Sequence, residues 1–305
     1  MPGLIAVDKM GGKILFLNPA TYRTEAVLDG FQRTVHELLV LPPPIGRAYV
    51  PIFGDGIHGR NPNPGHTLHV IDLHKRQRAA DIDLRPLVAP HTLKLGLDGL
   101  IYITCENSAV VAIIDPKTND VVGTIETGST NAHRLIISPD GQRLYTENEE
   151  DATISVIDLP HRRLIGKIRT PHPLAGIAIS ADGRTIIAVD DAEPNLFLID
   201  AASENIRTVP LQGVPNAAQI ARYADDFSLL AVSAVSCGMV SLIDPAFTHQ
   251  TAIAVGSQPM DMAFRGDELF VGCQGDGTVH VIDIPSRAWK ASFKAGTGCE
   301  SLGFF

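Results

Sequence analysis

The sequence predicts an all-β fold, a seven-bladed propeller of four-stranded blades, on three observations. First, a triplet of the form apolar–Ile/Leu–Asp recurs as Val70-Ile71-Asp72, Ile113-Ile114-Asp115, Val156-Ile157-Asp158, Leu198-Ile199-Asp200, Leu242-Ile243-Asp244 and Val281-Ile282-Asp283. A degenerate copy, Phe16-Leu17-Asn18, stands near the start. Successive aspartates lie 39 to 44 residues apart, the period of a propeller blade. Second, short apolar runs are split by Leu-Asp-Gly, Pro-Asp-Gly and Ala-Asp-Gly, which is tight-turn chemistry between two strands. Third, no segment sustains a 3.6-residue apolar period, so almost no helix is expected.

The innermost strand of each blade begins a few residues after the loop that leaves the previous blade. With Leu135 of "AHRLII" as anchor, its equivalents are Leu38, Leu93, Ile177, Ala218, Met262 and Leu302. The last inner strand, "CESLGFF", is expected to pair with the N-terminal strands "LIAVDK" and "KILFLN". The ring then closes through the two ends of the chain, which removes open sheet edges. Residues 1–305 form one domain on this reading. One insertion stands out: the first triplet step is 54 residues, and the extra length lies in "FGDGIHGRNPNPGH", an insertion loop over 53–66. It is placed on the face where the inner strands begin, as a lid or as a tolerated surface insertion.

Two residues before each anchor lie His36, His91, His133, Ala175, Asn216, Met260 and Glu300. Equivalent positions of a ring converge on its axis. Three imidazoles and one carboxylate on consecutive blades, facing an arc of Ala175, Asn216 and Met260, form a metal-site pattern with open positions. His36, His91, His133 and Glu300 are therefore the expected metal ligands, with Glu300 alternatively a general base. One divalent transition metal (Zn, Fe, Mn, Cu or Ni) suits such donors; calcium prefers an all-oxygen shell. The competing reading is a wet channel whose imidazoles hydrogen-bond to water and backbone.

Partners for the outer imidazole nitrogens are expected from the loops between second and third strands, which carry Asp8, Asp55, Glu106, Glu147, Glu149, Asp190, Asp191 and Asp276. His58 and His66 in the insertion are candidates for an acid or base or an extra ligand, and His172 in "TPHPLAG" is a candidate for proton transfer. Strand alternation turns Glu37 and Arg134 away from the axis, toward inter-blade ion pairs, and likewise removes Cys299 from the site.

At this point the chain resembles the YVTN-repeat family of seven-bladed β-propellers. The motifs that carry the likeness are "SPDGQRLYTENEEDATISVIDL" (138–159) and "GTIETGSTNAHRLIISPDG" (123–141), with looser copies along the whole chain. The resemblance implies the fold. It implies function only broadly, since such propellers host unrelated tasks, lactonases and metal-dependent ring-opening lyases among them. Carotenoid oxygenases place iron on a propeller axis with four histidines, whereas this chain has three histidines and a glutamate.

The bulk numbers narrow the classes further. Net charge is −9, from 25 basic and 34 acidic residues, which disfavours a nucleic-acid partner. The four cysteines show no CxxC spacing. The start lacks signal-peptide character and no run is long enough to cross a bilayer, so a cytoplasmic protein without membrane attachment is expected. Aromatic content of 6%, with Trp289 the sole tryptophan, gives little for a large protein interface. The leading expectation is a metal-dependent enzyme acting on a small organic substrate at the axial mouth, of hydrolase, lactonase, lyase or isomerase type. A mononuclear non-haem oxygenase and a non-catalytic binding scaffold are the alternatives.

Overall fold

The structure, a computed structural model, describes residues 3–32, 34–55 and 60–305. Seven four-stranded antiparallel sheets surround a central axis. The strands Leu4–Asp8, Lys13–Asn18 and Arg23–Leu28 form blade 1, whose inner strand is Cys299–Phe304 from the far end of the chain. Leu4 pairs with Phe304 and Ala6 with Leu302, so the two ends close the ring as expected. The inner strands of blades 2 to 7 are Leu39–Leu41, Pro90–Leu95, Ala132–Ile137, Leu174–Ile179, Ile220–Tyr223 and Pro259–Arg265.

The recurring triplet has a physical cause at each of its positions. Its middle residue is fully buried between blades: Ile71, Ile114, Ile157, Ile199, Ile243 and Ile282 are each 0% exposed. Each such side chain removed from water contributes roughly 1.5–3 kcal/mol. The aspartate that follows caps the turn into the outermost strand. Its carboxylate accepts a backbone N–H two to four residues on, as Asp72 does from Lys75 (2.8 Å), Asp115 from Lys117 (2.8 Å) and Asp200 from Ser203 (2.7 Å). Asn18 does the same in blade 1, which explains why asparagine substitutes there. In the Asp-Gly turns, Asp98, Asp140 and Asp182 accept N–H bonds two residues on. Gly99, Gly141 and Gly183 in these turns take φ of 78°, 69° and 71°, which favours glycine.

The core is partitioned by the ring. Seven apolar clusters lie between neighbouring blades, two of them flanking blade 1. Cys299 belongs to one of these clusters and faces away from the site, and burial holds its thiol well above the ordinary range. All four cysteines are free. No helix among the described residues is long and apolar enough to cross a membrane.

The insertion differs from its expected form. Phe53 and Gly54 complete the strand Arg47–Gly54, and residues 64–66 begin the strand Pro64–Asp72. Much of the extra length therefore lengthens a hairpin instead of forming a loop over 53–66. Gly54 is required there: its φ is +130°, and a Cβ would meet Asn61 and the Asn63 carbonyl at 2.5–2.6 Å. His58 lies outside the described residues.

Candidate metal centre

Three of the four expected residues meet. His36, His91 and His133 offer ligand atoms within 4.8 Å of one another, all three side chains buried, and together could hold a metal ion. His91 and His133 sit in the inner strands of blades 3 and 4, at points where the ladder gains one residue: between Pro90 and Leu93, and between Ala132 and Leu135. His36 precedes the short inner strand of blade 2 and is held by its N–H to the Pro51 carbonyl at 3.2 Å. The Nε2 atoms of His36 and His91 are 2.5 Å apart, and the His91 and His133 ring centroids are 3.9 Å apart.

Each imidazole has an acceptor behind it. His36 Nδ1 lies 2.9 Å from Glu300 Oε1. His91 Nδ1 lies 3.1 Å from the Thr92 hydroxyl, which in turn donates to Glu37 Oε2 at 2.9 Å. His133 Nδ1 lies 3.0 Å from Glu147 Oε1 and 2.9 Å from Glu149 Oε2. Acceptors near these Nδ1 atoms favour the proton there, so each ring, when neutral, turns an Nε2 lone pair toward the others. Lone pairs that close repel unless a proton or a cation lies between them.

The electrostatics follow from burial and these partners. Burial pushes His36 below the usual imidazole range despite Glu300, and it pushes His91 well below, helped by the neighbouring His133. Burial acts the same way on His133, but Glu149 and Glu147 outweigh it and hold it well above. Burial raises the Glu147 carboxyl to about 7. Glu300 would also be raised by burial, but His36 and Lys9 bring it down to about 2.

Glu300 is the expected fourth ligand, and its position differs from that expectation. Its carboxylate lies behind His36 and is tied to Lys9 Nζ at 3.0 Å and Gln274 Nε2 at 3.2 Å. It is absent from the cluster of converging ligand atoms. Of the loop acids, Glu147 and Glu149 reach a cluster histidine. Asp190 instead pairs with His172 Nδ1 at 3.0 Å, and Asp8 caps the Thr297 and Gly298 N–H groups. His172 stands on Asp190, partly exposed, and does not join the cluster. His66 lies on a third strand, 3.2 Å from Asp83.

Glu37 and Arg134 form the expected inter-blade ion pair, but they line the central channel instead of turning from it. For Arg134 the strand irregularity at His133 is the reason: an extra residue breaks alternation, so a histidine and the residue after it can both serve the axis. Sequence reasoning missed Lys9 and Phe53. The Phe53 ring packs 5.4 Å from His91 and 5.8 Å from His36, walling one side of the cluster. The lengthened hairpin in blade 2 was the available signal for Phe53.

A family model, the cytochrome D1 heme domain, matches residues 95–268, more than half of the 305-residue chain. That segment includes His133 but neither His36 nor His91. Among solved structures the chain is similar to hydrazine synthase of Kuenenia stuttgartiensis, at 18% identity and a TM-score of 0.72, covering 88% of each chain. At that identity the likeness supports the fold alone. No curated protein sequence matches.

Proposed function

We propose a function from one premise, that this chain belongs to the cytochrome D1 heme domain family. The reading is a redox-type metal propeller: one iron or copper ion held by His36, His91 and His133, acting on a small molecule at the axial mouth. The observation that carries it is the convergence of three buried imidazoles whose Nδ1 atoms all face acceptors. Neutral nitrogen donors of this kind suit iron and copper. An ion there would supply an electron-transfer couple and open positions for a ligand. The protein's part is to fix three lone pairs, exclude water with Phe53, and set the surrounding charge through Glu37, Glu147, Glu149 and Glu300.

The family name raises a heme, and the cluster does not fit one. A porphyrin fills four positions of its iron and leaves two, on opposite faces. Three nitrogens within 4.8 Å of one another, two of them 2.5 Å apart, leave no gap for a macrocycle between them, and leave at least one buried imidazole without a role. Two of the three also lie outside the segment that the family model matches. No step is therefore derived through a heme.

A second reading, suggested by the small or weakly ligating residues Ala175, Asn216 and Met260 at the equivalent repeat positions of the sequence, is non-redox hydrolysis or ring opening at a zinc or manganese ion, as in the YVTN-like propellers that this chain resembles. His172 on Asp190 would then be the acid–base candidate. Metal analysis of purified protein beside His36→Ala/His91→Ala, together with the visible spectrum, separates these readings. About one equivalent of iron or copper without porphyrin absorption, lost in the double variant, is the expected result. Zinc or manganese would favour the second reading. A stoichiometric heme, or no metal after reconstitution, would overturn the metal cluster.

A further inference from the structure

The channel does not end at the imidazoles. Next to them it opens into a cavity of about 570 Å³, lined by inner-strand residues of all seven blades. One end is charged, with Glu37, Lys94, Arg134, Arg222 and Asp261, and the walls are apolar, with Val40, Ile137, Ile179 and Phe264 among them.

The charges are unevenly paired. Arg134 pairs with Glu37, and Arg222 lies 2.7 Å from Asp261. Glu300, which also borders the cavity, is held by Lys9 and His36. Asp225 is exposed, at the rim. Lys94 remains: it is half-buried, and no hydrogen bond or ion pair among the described residues reaches its Nζ. Burial and the nearby Arg222 bring its ammonium down to about 8, against the pull of Glu37 and Asp261.

We propose that this cavity is a second ligand site, for a small organic carboxylate with an apolar body, anchored on Lys94. A carboxylate at the charged end supplies the direct partner that Lys94 lacks, through a charge-assisted hydrogen bond to a half-buried ammonium. Spare N–H groups of Arg222 lie on the same lining. The apolar walls take the rest of the molecule, which a bare inorganic anion could not use. The site is independent of whatever the histidines hold.

Isothermal titration calorimetry with benzoate, benzamide and inorganic phosphate tests this on the full chain. Saturable benzoate binding is expected, with benzamide and phosphate weaker by about tenfold or more. Lys94→Met should weaken benzoate by about tenfold or more, and Lys94→Arg should retain much of the affinity. His36→Ala/His91→Ala should bind benzoate as the wild type does, so loss of the metal cluster leaves the result readable. Absent benzoate binding, equal binding of phosphate, or an unchanged affinity in a folded Lys94→Met protein would each overturn the site. Loss of binding in the histidine variant would place benzoate on the cluster and overturn it too.

Discussion

Glu300 Oε1 lies 2.9 Å from His36 Nδ1, while Lys9 Nζ grips the same carboxylate at 3.0 Å. The carboxylate thus orients an imidazole and fixes its tautomer, and its own charge is balanced on the far side. A group in this position tunes a ligand without being one. Glu300→Gln is expected to weaken metal binding by about 10- to 100-fold and to keep the stoichiometry. Competition with a chelator of known affinity measures it. Total loss, as in a variant lacking a ligand, would make Glu300 a ligand itself; an unchanged affinity would make the contact idle.

The same carboxylate sets an acid dependence. Its pKa in the fold is about 2, against 4.5 for the free group. A depressed carboxyl contributes stability that is present above the unfolded value and lost as pH falls through the folded one. The wild type should therefore exceed Glu300→Gln in unfolding free energy, by up to about 3 kcal/mol at neutral pH in metal-free protein. The gap should close as pH falls from 4.5 to about 2. Urea unfolding of both proteins across that window reads it, and a gap that stays constant with pH would refute the assignment.

Arg134 and Glu37 come from blades 4 and 2 and meet across blade 3, each side chain 15% exposed. Against the effect of burial, Glu37 with Glu147 and Glu149 holds the Arg134 guanidinium above its usual range, and Arg134 in turn holds Glu37 below its own. Removing one partner leaves a desolvated charge. Arg134→Met should cost about 3 kcal/mol, and Arg134→Met/Glu37→Gln should cost less than the single change. Additive losses in the double-mutant cycle would show that the two do not interact.

The ring was legible in the sequence because its causes are local. Each triplet isoleucine needs a buried slot, each aspartate caps a turn, and each repeats at blade spacing. The histidines were legible for the same reason, since a repeat maps equal positions onto one axis. What alternation could not convey was the irregular ladder at Pro90–Leu93 and Ala132–Leu135, which brings Arg134 to the channel lining beside His133. The distinction between ligand and buttress at Glu300 depends on a side-chain direction and on Lys9, some 290 positions away in the chain. Phe53 was hidden because a Gly- and Pro-rich stretch reads as loop, whereas its first residues extend a strand.

Phe53 supplies the last prediction. Its ring is 4% exposed and lies edge-on to His91, 88° between planes. Its burial against two cluster imidazoles separates two expected effects, filling the core and keeping water from the rings. Phe53→Ala should lower unfolding free energy by about 3–4 kcal/mol through the cavity it leaves. Water reaching the cluster should also speed metal release. Phe53→Leu, which restores most of the volume, should recover most of the stability while filling the wall less completely. Its release rate into excess chelator is expected to fall between wild type and alanine. If both variants release metal at the wild-type rate, Phe53 is a core residue alone, and the wall around the site has to be sought elsewhere.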